Sequence, residues 1–129
     1  MLRNIVIFIF IVVIQQGAAL AANTQKAVLV TGASSGSGHI IAKTLANKGY
    51  YVFAGARKQK DLDALNAIKN VHALKLDVTI QSQIDAAVTE VTKTGFGLYG
   101  VVNNAGVAIN SPLIETVESE LKFVFDVNV

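Results

Sequence analysis

Apolar runs and helical spacings alternate along the chain from residue 26 onward. Four short, mostly apolar runs predict buried strands, at residues 26–31, 51–56, 72–76 and 98–103. Between and after them, apolar residues recur every three or four positions, which predicts helices at about residues 37–48, 61–68 and 80–91, and from 116 onward. This alternation predicts an α/β fold, a doubly wound parallel sheet covered by helices on both faces.

The first 22 residues have the layout of a targeting segment. Arg3 precedes an apolar run at residues 5–14, and a tract of small residues follows at 17–22. Ten apolar residues are fewer than the roughly 20 that span a bilayer, but the stretch through residue 22 is marginal. We therefore predict a signal peptide or N-terminal membrane anchor at residues 1–22, with membrane association through residues 5–22. The expected location is membrane-associated or exported, with a cytoplasmic protein as the alternative.

The last helical pattern continues to the final residue. Val117, Leu121 and Val124 share one face, Thr116 is a candidate N-cap, and the chain stops at Val129 without a capping glycine. A natural domain rarely ends inside an amphipathic helix. We therefore predict that residues 23–129 form a domain that is incomplete at its C-terminus, either a fragment or the product of a truncated gene.

Composition excludes several classes of partner. The hydrophobic share of 52% is enough to bury a core, and a net charge of +2 without a basic stripe argues against nucleic acid. There are no cysteines and only two histidines, which do not have ligand spacing, so no metal site is predicted.

A glycine-rich turn joins the first predicted strand to the first helix. Residues 31–38 read T-G-A-S-S-G-S-G, with glycines at 32, 36 and 38 and serines at 34, 35 and 37. The first N–H groups of a helix have no intrahelical partner and attract an anion, provided that no Cβ blocks its approach. The turn therefore predicts a phosphate cradle formed by Gly32, Ser34, Ser35, Gly36, Ser37 and Gly38. The alternative is a Gly/Ser-rich surface turn.

The end of the second strand indicates which cofactor is bound. Sites for NAD place an acid there to bind the ribose 2′-hydroxyl, whereas this chain reads Ala56-Arg57-Lys58. A guanidinium can bind a 2′-phosphate bidentately. We predict NADP(H) rather than NAD(H), with Arg57 as the main contact and Lys58 or Ser35 assisting. The alternative is a solvated basic loop.

Two motifs together resemble the short-chain dehydrogenase/reductase family. They are T-G-A-S-S-G-S-G at residues 31–38 and N-N-A-G at residues 103–106, and the likeness covers roughly residues 26–129. The resemblance implies the nucleotide-binding half of a Rossmann fold, with strand order 3-2-1-4 and further strands beyond Val129. Residues 23–129 would then be an NADP-binding Rossmann domain.

The resemblance also implies roles for residues after the third and fourth strands. Asp77 would bind the adenine amino group and Val78 would pack on the ring, although an Asp at this position is also an ordinary helix cap. Asn104, Ala105 and Gly106 would lie against the cofactor ribose. Asn128 would hold a water in the proton relay to a catalytic lysine.

These features predict an oxidoreductase that transfers a hydride between NADP(H) and a small alcohol or carbonyl compound, with a homo-oligomer expected at full length. The family's reaction centre includes a Y-x-x-x-K motif, and no tyrosine here has a lysine four positions on. The 129 residues alone are therefore expected to be inactive, and the alternative is a nucleotide-binding regulator or pseudoenzyme. A methyltransferase is disfavoured, because that class usually has an acid where Arg57 stands.

Overall fold

The chain folds as alternating strands and helices, described for residues 25–129 in a computed structural model. In chain order the elements are β1 (Ala27–Val30), α1 (Gly36–Asn47), β2 (Tyr51–Ala56), α2 (Gln59–Asn66), β3 (Val71–Lys75), α3 (Gln81–Lys93), β4 (Gly100–Val102), a short 3₁₀ helix (Leu113–Glu115) and α4 (Glu118–Asn128). The predicted α/β fold is confirmed.

The four strands form one parallel sheet in the order β3-β2-β1-β4. β1 lies inside the sheet, with Ala27 opposite Tyr51 of β2 and Val28 opposite Gly100 of β4. This confirms the strand order 3-2-1-4. The strand order reverses at β1, because β2 lies on one side of it and β4 on the other, so a crevice is expected where the carboxyl ends of β1 and β4 separate.

Successive strand residues pack on opposite faces of the sheet, because side chains alternate along a strand. Val28 and Val52 belong to an apolar cluster with the buried residues of α1 and α2, whereas Ala27 and Phe53 belong to a second cluster with Ala87 and Val91 of α3. Both faces of β1 and β2 are therefore covered, which explains why these two strands are unbroken apolar runs.

Helix α1 presents small residues to the sheet. Ala42 and Ala46 are buried one turn apart, and Gly38 in the first turn is buried as well. Side chains this small let the helix approach β1 and β2 closely. The N-terminal end of α1 is thereby held beside the carboxyl end of β1.

The starts of two helices differ from the prediction. Helix α2 begins at Gln59, before the predicted residue 61, because its first turn is polar and carries a Gln59–Asp63 hydrogen bond that apolar periodicity does not mark. Thr116 does not cap the last helix: Val117 precedes α4, and the Thr116 hydroxyl donates to the Pro112 carbonyl instead.

The predicted membrane-associated or exported location is corrected. Across residues 25–129, no helix combines the length and the apolar character that a bilayer crossing requires. The predicted signal peptide or anchor at residues 1–22, on which that expectation rested, lies outside the described residues.

Candidate nucleotide-binding site

A cavity of about 240 Å³ lies at the carboxyl ends of the strands. Each of the four strand ends contributes to its lining, and Val127 of α4 adds to it. Many of the predicted site residues meet there: Gly32, Ser34, Ser35, Arg57, Asp77, Val78, Asn104, Ala105 and Gly106. The remaining lining residues, which the sequence did not single out, are Ala56, Leu76, Val107 and Val127.

The other predicted residues lie outside the cavity lining. Gly36, Ser37 and Gly38 form the first turn of α1, where the first two are exposed and Gly38 is buried. Lys58 is exposed and directly precedes α2. Asn128 is the last residue of α4.

The three loop glycines serve different purposes. A Cβ on Gly32, where φ is +64°, would lie 2.8 Å from the Ala105 Cα, and one on Gly38 would collide with the Asn104 amide and the Gly32 carbonyl. These two glycines therefore allow close packing of the loop. A Cβ on Gly36 would meet nothing within 4 Å, so this glycine borders open space, although its φ of +55° is strained for other residues.

The start of α1 adjoins this open space. Ser35 is the N-cap residue, with an extended backbone, and its side chain makes no capping hydrogen bond within the described residues. Because the first helical N–H groups lack intrahelical acceptors and the helix dipole is positive there, this end of α1 can accept an anion.

A hydrogen-bond network joins the loop after β1 to the loop after β4. The Thr31 hydroxyl accepts the backbone N–H groups of Asn104 and Ala105, each at 3.0 Å. The Asn104 amide donates to the carbonyls of Thr31 at 3.0 Å and Gly32 at 3.2 Å. Thr31 was part of the quoted motif but was not among the predicted site residues; its position at the end of a buried strand was the available signal.

Asp77 is held by a tight turn beyond β3. Its Oδ1 accepts the Thr79 N–H at 3.0 Å and the Thr79 hydroxyl at 2.7 Å, while its own N–H donates to the Gln83 Oε1 at 2.9 Å. The hydrogen bonds from Thr79 hold the pKa of the Asp77 carboxyl below its usual value, partial burial opposes this, and the charge of Arg57 adds to it. Asp77 does not cap α3, whose N-cap residue is Ile80.

Arg57 and Asp77 place opposite charges on one cavity. Arg57 is exposed at the end of β2 and, among residues 25–129, forms no ion pair with a carboxylate. A guanidinium without a carboxylate partner keeps its donors available for a phosphate.

Asn128 connects α4 to the loop after β4. Its Oδ1 accepts the Val107 N–H at 2.9 Å, and its Nδ2 donates to the Val107 carbonyl, also at 2.9 Å. The side-chain amide thus pairs with a peptide group as a neighbouring strand would. This contact brings α4 to the edge of the cavity, which explains why Val127 lines it.

A parallel doubly wound sheet with a polar cavity at the carboxyl ends of its strands is the architecture of a ligand-binding α/β domain. The family model described as short chain dehydrogenase matches residues 26–129, and the chain belongs to this family. The predicted resemblance is confirmed.

Individual relatives agree with this assignment. The chain is 41% identical over 108 residues to 3-amino-tetrahydro-pyrrolizinone reductase of Xenorhabdus hominickii, an alignment that covers 82% of this chain and 37% of the reductase. Among solved structures, a variant of actinorhodin polyketide ketoreductase with NADPH superimposes with a TM-score of 0.77 at 29% identity, covering 81% of this chain and 42% of the other. L-Sorbose reductase from Gluconobacter frateurii, complexed with NADPH and L-sorbose, has a TM-score of 0.75 at 28% identity, covering 82% and 43%. The chain therefore spans about two-fifths of the length of these relatives.

Proposed function

We propose that residues 23–129 are the NADP(H)-binding domain of an oxidoreductase that interconverts alcohols and carbonyl compounds. The observation that carries this proposal is the meeting of the glycine loop, Arg57 and Asp77 on one cavity. Membership of the short-chain dehydrogenase family supports it, as do the NADPH complexes among the structural relatives.

The residues present fit a dinucleotide. The open space beside Gly36 adjoins the N-terminal end of α1, which suits a pyrophosphate. The Arg57 side chain suits a 2′-phosphate, and the Asp77 carboxylate suits a hydrogen-bond donor such as an amino group. Gly32 leaves room for the backbone at Ala105, so that the loop after β4 forms one wall of the cavity.

A bound NADPH would supply the hydride for reduction of a carbonyl group. The residues of this domain would bind the cofactor and orient it. The Thr31–Asn104 contacts hold the loop that carries Ala105 and Gly106, and Asn128 holds the adjoining peptide at Val107. The role of Asn128 in a water-mediated proton relay remains a prediction. The expected homo-oligomer also remains one, supported by the exposed Leu121, Phe123 and Phe125 of α4.

A second candidate is a nucleotide-binding regulator. It would bind the cofactor in the same cavity but would lack a tyrosine–lysine pair in Y-x-x-x-K spacing. Such a pair would supply positioned proton transfer, which typically accelerates a reaction about 10²- to 10⁴-fold.

The two candidates differ in turnover. We expect the intact protein to bind NADPH and to oxidise it in the presence of a ketone, because the cavity suits the cofactor and the family's reaction is hydride transfer. The measurement is the loss of nicotinamide absorbance across a panel of ketones, with the reverse reaction followed in alcohols. Binding of NADPH without turnover on any of them would instead favour the regulator.

Replacing Arg57 with alanine tests the cofactor preference. The wild-type protein is expected to bind NADPH more tightly than NADH, and Arg57→Ala is expected to remove most of that difference. A charge-assisted contact is worth about 1.5–3 kcal/mol, which corresponds to roughly tenfold to over a hundredfold in affinity. Equilibrium titration of both cofactors against both proteins measures the change.

Lys58→Ala is the matched control for this substitution. Lys58 carries the same charge at the next position but does not line the cavity, so a smaller change in the NADPH-to-NADH ratio is expected. Equal affinities for the two cofactors in the wild-type protein would refute the preference for NADP(H).

A further inference from the structure

The turn that follows β3 uses one oxygen of Asp77 and leaves the other available. Both hydrogen bonds to this carboxylate within the described residues end on Oδ1, and both come from Thr79. An ionised carboxylate accepts hydrogen bonds on both oxygens. Oδ2 therefore keeps its acceptor capacity for a further donor.

Two side chains fix Asp77 from different directions. The Thr79 hydroxyl holds the carboxylate, and Gln83, which is half-buried in α3, accepts the Asp77 N–H and so holds its backbone. A carboxylate restrained at both points loses little further freedom when it binds a ligand. The Asp77 carboxylate is ionised, and thus an acceptor only, throughout the neutral range, and its lowered pKa extends this range toward acid pH.

We propose that Thr79 and Gln83 are positioning residues that hold Asp77 so that it selects an amino-substituted purine over a 6-oxo purine. The inference rests on the proposed function, because it assumes that the cavity binds the adenine end of NADP(H). An exocyclic amino group donates to a carboxylate, whereas a carbonyl oxygen in the same place would repel it. Discrimination between the two purines therefore depends on how firmly the carboxylate is held.

The test compares NADPH with its hypoxanthine analogue, in which a carbonyl replaces the adenine amino group. The wild-type protein is expected to bind NADPH about ten- to a hundredfold more tightly than the analogue. Thr79→Val preserves the shape of this exposed side chain but removes its hydroxyl, and it is expected to lower the affinity ratio by roughly three- to tenfold. Thr79→Ser retains the hydroxyl and is expected to restore the ratio.

Gln83 is tested in the same way. Gln83→Leu removes the acceptor for the Asp77 N–H and is expected to lower the ratio by roughly two- to fivefold. Gln81→Leu is the matched control, because Gln81 lies in the same helix and donates to Asp85 instead of contacting Asp77. It is expected to leave the ratio unchanged.

The outcomes separate this inference from the proposed function. Failure of the wild-type protein to bind NADPH at all would refute the proposed function. If NADPH binds but Thr79→Val and Gln83→Leu keep the wild-type affinity ratio, the positioning roles are wrong while the proposed function stands. A merely structural effect of Thr79→Val would weaken both cofactors equally, and this result would also overturn the inference.

Discussion

Replacing Gly38 with alanine is expected to abolish NADP(H) binding and to lower the free energy of unfolding by about 3–5 kcal/mol. The added Cβ would collide with the carbonyl of Gly32 and with the side-chain amide of Asn104. The carbonyl belongs to the backbone, so α1 must move away from the loop. Asn104 must move as well and would lose its bonds to Thr31 and Gly32. The measurements are chemical denaturation and titration with NADPH.

Gly100→Ala is the matched control for overpacking. A Cβ on Gly100, which lies in β4, would meet nothing within 4 Å, and this residue does not have a positive φ. Its effect on the free energy of unfolding is expected to stay below about 1 kcal/mol. Wild-type stability and binding in Gly38→Ala would contradict the close packing of α1 against the loop.

Gly36→Val tests whether the space beside Gly36 is needed for ligand binding rather than for folding. Its Cβ points into open space, so the expected cost to folding is mainly the strain of a branched residue at φ +55°, about 1–3 kcal/mol. The side chain would, however, occupy the space proposed for the pyrophosphate. A folded variant that no longer binds NADPH is expected; retained binding would mean that this loop is not the phosphate cradle.

Replacing Thr31 with valine is expected to destabilise the protein by about 2–4 kcal/mol and to weaken NADP(H) binding. Thr31 is 6% exposed, and its hydroxyl accepts the N–H groups of both Asn104 and Ala105. Valine keeps the volume and the β-branched shape but leaves both donors without this acceptor. The loop that carries Asn104, Ala105 and Gly106 is then less firmly held. Denaturant midpoints and cofactor titration measure the two effects.

Thr31→Ser is the control, because serine supplies the same acceptor with one methyl group fewer. Its expected cost is about 0.5–1.5 kcal/mol, from lost packing alone. If the valine and serine variants were equally stable, the hydroxyl would not be what joins the two loops.

The sequence predicted the elements well where one signal dominated. Residues 51–56 form β2 as predicted, because a short apolar run that ends at a basic residue is compatible with few structures other than a buried strand. The predicted strand at residues 98–103 is shorter in the structure, since only Gly100–Val102 pairs with β1. An apolar run in the sequence can extend beyond the residues whose backbones pair in the sheet.

The strand order could not be derived from local pattern. β1 and β4 are far apart in sequence, and the apolar spacing of each is compatible with any neighbour; the family resemblance supplied the order. Parallel strands end at the same edge of the sheet. Once the strand order is known, we therefore expect one cavity to be lined by Gly32, Arg57, Asp77 and Asn104, as the structure shows. Their binding roles remain predictions.

The second layer of contacts was missed for a physical reason. The hydrogen bonds of Thr79 and Gln83 with Asp77 belong to a turn that apolar periodicity cannot register, although an Asp side chain that accepts the N–H two residues later is a known turn motif. Val127 lines the cavity next to Asn128, whose amide binds the Val107 peptide group. Contacts of this kind depend on side-chain geometry, which the spacing of apolar residues in the sequence does not reveal.

The position of β1 between β2 and β4 has a consequence for synthesis of the chain. The Thr31 hydroxyl accepts the backbone N–H of Asn104, which lies 73 residues later in the chain. At a ribosomal rate of about 5–20 residues per second, roughly 4–15 seconds pass before that partner has been added. During this interval β1 can pair with β2 but has a bare edge, which is a template for pairing with other chains. The nascent protein is therefore most in need of a chaperone after β2 has formed and before β4 emerges.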